Sequence, residues 1–213
     1  MKKILTLLIL CVGGTATIAQ YDQNALKVLD AMSEKYRKIP AYSADITSSL
    51  INETEGINEN FNGKISVKGE MYKLELDEQV VINNGKTVWT YLPDVNEVNI
   101  DNYTPDADEM TPSKIYEAYK KGYKYILIGE EAHMGTTCSV VDLIPDNKDA
   151  QFFKIKLFIA KNDNSLKSWT MFDKSGNKYK YTIENFVKNA NAKDSDFSFD
   201  ASKYPGVDII DLR

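Results

Sequence analysis

The chain has 213 residues with 26 Lys and Arg against 31 Asp and Glu, a net charge of −5, and that balance argues against nucleic acid, whose phosphates are held by excess positive charge. Its length suits one large β-rich domain better than two, and no Pro/Gly/Ser linker, low-complexity segment or strict repeat divides it. The opening MKKILTLLILCVGGTATIAQ joins two lysines, an apolar run from Ile4 to Val12 and small residues ending at Ala19, the pattern of a secretory signal peptide. The run is too short to span a bilayer. Residues 1–19 are therefore expected to be cleaved after Ala19, leaving one exported domain over 20–213 that is more acidic still without Lys2 and Lys3. The alternative is a lipid anchor on Cys11, but that cysteine sits inside the apolar run, follows Leu10 where a small residue is needed, and precedes a better cleavage site. Without the leader Cys138 is the only cysteine, so no intrachain disulfide forms and the core must hold the fold.

Asp22 can cap a helix in which Ala25, Leu26, Val28, Leu29, Met32 and Tyr36 fall at helical spacing, with Pro40 just past its end. From Tyr42 the period becomes two, with Tyr42, Ala44, Ile46, Ser48 and Leu50 on one side. A polar loop follows. Ile65 and Val67, then Tyr72, Leu74 and Leu76, alternate with polar neighbours. Asn84-Gly85 between apolar runs signals a hairpin, because both residues tolerate positive φ. The strand after it carries Trp89 and Tyr91 on one side and Val88 and Leu92 on the other. Thr111-Pro112 reads as a cap and first-turn proline of a short helix with Ile115, Tyr116 and Tyr119 on one stripe and Gly122 at its stop. Strands resume at Tyr123 to Ile128, Thr137 to Ile144, Phe152 to Ala160, Leu166 to Phe172 and Tyr179 to Phe186, and Asp196 to Arg213 look irregular or weakly extended.

Strands this close together leave no room for helical crossovers, so the expected topology is an antiparallel meander. A sheet of about nine to eleven strands must curl. Mainly β architecture follows: an unclosed antiparallel barrel, or strongly curved sheet, with the N-terminal helix and the short second helix over an apolar cavity. The competing arrangement is a closed barrel filled by the same side chains.

The constellations of catalysis are mostly absent. His133 is the only histidine, so a His-rich metal site is excluded and a Ser-His-Asp triad would depend on that residue. His133 and Cys138, five apart, read as a turn histidine beside a strand cysteine rather than as a metal pair or a thiol nucleophile. There is no Gly-x-Ser-x-Gly, no phosphate-cradling Gly-rich loop and no EF-hand pattern. The chain is expected not to be an enzyme. Acidic residues from Asp101 to Glu109 read as an ordinary loop of an acidic protein. Trp89, Trp169 and 13 tyrosines, set on an unclosed sheet, suit a cavity for apolar ligands.

Asn84-Gly85-Lys86-Thr87-Val88-Trp89-Thr90-Tyr91-Leu92-Pro93, continuing to Glu97-Val98, resembles the D-G-K-x-L-W-x-Y-x-P…Q-V segment of the periplasmic outer-membrane lipoprotein carriers, the LolA-like proteins. Gly63 to Lys68 resembles their G-x-[LI]-x-V-K strand, Thr111-Pro112 the start of their lid helix, and Phe197-Ser198-Phe199 with Pro205-Gly206-Val207 their closing F-x-F…P-x-G-V. The matches run in order from about Asp22 to Asp211.

The resemblance implies a periplasmic carrier that takes the acyl chains of lipoproteins from an inner-membrane exporter and passes them to an outer-membrane receptor, as a monomer and without a cofactor. The cavity lining expected under it is Tyr72, Leu74, Leu76, Val81, Trp89, Tyr91, Trp169 and the lid residues Ile115, Tyr116 and Tyr119. In well-known members an arginine following Val-Lys ties the lid to the barrel; here that place holds Gly69, and Lys68 should leave the opposite face of its strand. Restoring arginine at 69 is expected to bias the lid shut. Two alternatives stay open: a protein of the same fold that binds another lipid or senses mislocalised lipoproteins, and a filled barrel serving as an interaction module.

Overall fold

The computed structural model describes residues 22–104, 114–188 and 191–213. The leader with Cys11 and Ala19, and the expected helix start at Thr111-Pro112, lie outside the described residues.

Helix α1 (Gln23–Arg37) forms where the apolar stripe required it. Ala25, Leu29, Met32 and Tyr36 are buried, and Leu26 and Val28 pack at the margin. The cap does two things. Asp22 Oδ1 accepts from the Asn24 and Ala25 N–H groups at 2.9 and 3.2 Å, while Oδ2 accepts from Leu127 N–H at 2.9 Å. The carboxylate thereby fastens the helix to a strand at the edge of the sheet. Those bonds, Leu127 first, hold the Asp22 carboxyl below its ordinary value of 3.8. A group with a depressed folded pKa adds stability above its unfolded value and loses it as pH falls through the folded one. Asp22→Ala is therefore expected to melt below wild type at neutral pH, with the gap narrowing as pH drops below 3.8. A gap that stays constant in thermal melts across that range would show that the carboxylate bonds are not its source.

The strands are β1 (Ala41–Asn52), β2 (Ile57–Lys68), β3 (Met71–Leu76), β4 (Val80–Asn83), β5 (Thr87–Leu92), β6 (Glu97–Asn102), β7 (Tyr123–His133), β8 (Thr136–Pro145), β9 (Phe152–Ala160), β10 (Leu166–Asp173), β11 (Lys178–Lys188) and β12 (Asp208–Asp211). Among the described residues they form one 12-stranded unclosed sheet in the order β12-β6-β5-β4-β3-β2-β1-β11-β10-β9-β8-β7. The meander is present on both sides of β1. Its inner face, under α1, is one continuous apolar layer running from Tyr72 on β3 through Ile65, Ala44 and Ile183 to Leu157 and Val141.

Three expectations need correction. The polar loop is shorter than expected, a turn at 53–56, and the rest of the stretch is strand: Asn60 and Asn62 of β2 pair across to Ser49 and Thr47 of β1 and bond them through side chains at 2.6 and 3.1 Å. Here β2 runs past the end of β3 and has no partner on that side, so its exposed polar residues carry no apolar alternation to betray them. The C-terminal strand β12 runs parallel to β6, not antiparallel, and covers its backbone edge. Finally, the described part of the expected lid helix is not α-helical: Lys114–Glu117 form a turn, followed by one 3-10 turn at Ala118–Lys120.

Candidate functional site

Direct partners in a ladder share a face, so the pairing decides which expected lining residues meet. Leu74 lies between Ile65 and Val81, and Tyr72 between Val67 and Asn83. Tyr72, Leu74, Leu76 and Val81 therefore join the inner layer, as does Trp169, which stacks on Tyr181 with centroids 4.8 Å apart. Ile115, Tyr116 and Tyr119 reach the same layer from the covering segment.

Trp89 and Tyr91 do not. They pair with Ile82 and Val80, the outward neighbours of Val81, so both face the other side of the sheet. There Tyr91 packs 5.7 Å from Phe199 and 4.5 Å from Tyr204, beneath a C-terminal segment that also buries Phe197. Register is the physical reason: inner positions on β5 are Val88 and Thr90, opposite Asn83 and Val81. Tyr91 of the Trp-x-Tyr element thus packs against the C-terminal segment. Lys68 leaves by that outer face as well, reaching Asp194 Oδ1 at 2.7 Å and the Ala192 carbonyl at 2.8 Å.

The covering segment is held by tyrosines, a feature that the sequence did not single out. The Tyr116 and Tyr36 rings stack at 3.6 Å and 14°, and the Tyr42 hydroxyl donates to Tyr116 Oη at 3.1 Å. Tyr36 Oη accepts from Leu166 N–H at 3.1 Å, and the Tyr119 hydroxyl donates to Asp30 Oδ1 at 2.5 Å. Burial pushes Tyr36 up to about 12 and raises Tyr42, Tyr116 and Tyr119 as well, so all four stay protonated donors at physiological pH. Tyr36 and Tyr42 stood on the sequence stripes of α1 and β1; their meeting with a residue 74 positions away from Tyr42 had no local signal.

Beside this cluster a cavity of about 330 Å³ opens between the end of α1, the β2–β3 turn and the covering segment. Tyr36, Ile39, Tyr42, Val67 and Tyr116 supply apolar wall, with Arg37, Glu70 and Glu117 among the lining residues. Two larger depressions, of about 660 and 700 Å³, are lined largely by charged and polar side chains and do not suit an apolar ligand. Gly69 sits at the cavity in a turn with φ +57°. An arginine there would be strained in the left-handed region, so Gly69→Arg is not a simple restoration of a lid tie; the contacts of the covering segment run through Tyr36 and Tyr42 instead.

His133 and Cys138 have structural surroundings. The imidazole stacks on Phe158 at 4.3 Å, its Nε2 lies 2.8 Å from Ser168 Oγ, and Ser168 is fully buried and closed to a substrate. Burial, then Lys180, lowers the histidine, and burial pushes the Cys138 thiol up, away from a reactive thiolate. Among the described residues no cluster of three metal-ligating side chains exists.

The comparisons with known proteins agree with this geometry. The family model described as outer membrane lipoprotein carrier protein LolA matches residues 41–200. An outer-membrane lipoprotein carrier protein from Actinobacillus succinogenes is 26% identical over 193 residues, covering 86% of this chain and 87% of that one. Its namesake in Pseudomonas aeruginosa is 25% identical over 229 residues, covering 99% of each. Among solved structures, an uncharacterized conserved protein from Thermus thermophilus matches with a TM-score of 0.60 at 14% identity, over 89% of this chain and 99% of that one. The Mycobacterium tuberculosis lipoprotein LppX does so with 0.52 at 12%, over 81% and 100%. These two share the fold. With the family match running from the first strand into the C-terminal segment, the chain belongs to the outer membrane lipoprotein carrier protein LolA family, a family of carriers rather than enzymes.

Proposed function

We propose that this protein, after loss of residues 1–19, is a monomeric periplasmic carrier that shelters the acyl chains of lipoproteins on the inner face of its sheet. It takes them from an inner-membrane exporter and delivers them to an outer-membrane receptor. The observation that carries the reading is the cover on the inner face: among the described residues it is one helix and one short tyrosine-held segment, not a second sheet, over a continuous apolar layer. A cover of that kind can be displaced without unpairing strands.

Each acyl methylene kept from water is worth about 0.8 kcal/mol, so a chain of roughly sixteen carbons costs on the order of 13 kcal/mol to hold in water. A free lipoprotein would not cross the aqueous gap at a useful rate. The carrier must accept the chain and later give it up, which calls for a cover with more than one state. The 330 Å³ cavity is at the low end of the ~300–1,000 Å³ usual for small-molecule sites. It is the starting point for a chain whose remaining length displaces Tyr116 and its neighbours.

The face assignment tests this. A photoreactive residue at position 74 should crosslink to lipoprotein in cells, while one at 75 or 91 should not. Equal crosslinking at all three would sink the reading of the inner face as the lipid site. N-terminal sequencing of the exported protein checks the leader: a chain beginning with acylated Cys11 would contradict cleavage after Ala19.

A further inference from the structure

The apolar interior is not purely apolar. Trp169 is 4% exposed and its indole Nε1 has no hydrogen-bond partner; Asn83 is 0% exposed and its Nδ2 has none either. Both lie on the inner face, Trp169 opposite Tyr181 and Leu157, Asn83 opposite Tyr72 and Val88. The orientation of the Asn83 amide is fixed, because its Oδ1 accepts from Gly85 N–H at 2.6 Å and only an oxygen can do so. Buried donors are nearly always paired, and an exception needs a reason.

The sign of the imbalance supplies one. On this face both orphans are N–H donors. The remaining orphan among the described residues, Asp142 Oδ1, is on the outer face, 3.9 Å from Lys156 Nζ, while Lys154 Nζ lies 3.9 Å from Oδ2 of the same carboxylate. A ligand that relieves the inner face must bring acceptors, which a bare hydrocarbon lacks. A carboxylate would bring them with a charge, yet no Lys or Arg is buried among the described residues to meet it, and an unpaired buried charge is strongly disfavoured. Neutral ester or amide carbonyls fit both conditions.

We infer that the Trp169 indole N–H and the Asn83 amide are carbonyl-binding subsites that select acyl esters and amides over hydrocarbon chains of equal length. The inference rests on the carrier reading and adds to it the headgroup chemistry that the inner face recognises. Trp169 supplies the sharper handle, since phenylalanine keeps a ring against Tyr181 and removes only the donor side of the indole.

The test uses the mature protein, an environment-sensitive dye, a long-chain methyl ester and the matching methyl ether, which differ at the carbonyl. Wild type should hold the ester about tenfold more tightly than the ether, the scale of one net hydrogen bond. Trp169→Phe, with its fold checked by circular dichroism, should lose most of that preference, read as the ratio of ester to ether affinity within the same variant. A second reading needs no variant that must fold well. In the 1H–15N spectrum of wild type the Trp169 indole signal should move with ester and not with ether, while Trp89, on the outer face, serves as the unmoved control. Equal binding of ester and ether, with the Trp169 signal indifferent to the carbonyl, overturns the subsites and leaves the carrier reading standing. Failure of wild type to bind either probe overturns the carrier reading and the subsites together.

Discussion

Gly63→Ala is expected to cost more than the ~1–3 kcal/mol usual for overpacking and to open the pairing of β2 with β3. A β-carbon at position 63 would press into the Glu75 carbonyl oxygen and come within 2.8 Å of Leu76 Cδ2. The flexible leucine can turn aside; the carbonyl belongs to the backbone of the neighbouring strand and cannot move without breaking the ladder. Gly63 pairs with Leu76 on one side and Ile46 on the other, so the disturbance enters the inner layer directly. This is a physical account of why a glycine opens the Gly63 to Lys68 element that resembles the family strand. Chemical denaturation measures it, with Gly56→Ala as a contrast: position 56 has open space around it and pays only for its positive φ. Similar midpoints for the two variants would show that the β2–β3 approach is looser than described.

Tyr116→Ala should act on stability and on access in opposite senses. Removing a buried aromatic of this kind costs about 3–5 kcal/mol where the site cannot collapse, and Tyr116 is 5% exposed with its ring against Tyr36. The same change frees the segment 114–120, so amide exchange there should rise and an acyl probe should enter faster. Tyr116→Phe separates the two contributions. It keeps the stack and removes the hydroxyl that Tyr42 donates to, for an expected loss of about 0.5–1.5 kcal/mol and a smaller gain in access. Amide exchange by mass spectrometry reads the segment directly. Unchanged exchange in the alanine variant would mean that the tyrosines do not hold the cover.

Much of the fold was legible because its period was. The α1 stripe from Ala25 to Tyr36, with Asp22 before it and Pro40 after it, could only be one amphipathic helix, and the strands from Tyr42 onward alternate over long stretches. The face of β5 was not legible. Both faces of that strand are apolar, and whether Trp89 or Val88 points inward depends on the β3–β4 and β4–β5 turns, where a one-residue difference in register exchanges the faces. The first half of β2, which runs past the end of β3 and is mostly exposed, has no buried side to set a pattern. Residues 191–207 are irregular, so the outer-face packing of Phe197, Phe199 and Tyr204 had no periodic signature, although their aromatic character marks them in retrospect. Tyr72, Leu74 and Leu76, on a strand with one polar side, share one face as their alternation implied. The tyrosine cluster joins α1, β1 and the covering segment across long stretches of chain, and only tertiary structure brings those together.

The carrier claim is tested most directly by what the native protein holds. The protein purified gently from the periplasm of its own host, then extracted and analysed by mass spectrometry, should release N-terminally acylated lipoproteins in amounts that rise when their onward delivery is blocked. An extract containing neither acylated lipoprotein nor any other lipid, from protein whose circular dichroism matches the folded state, would contradict the carrier claim.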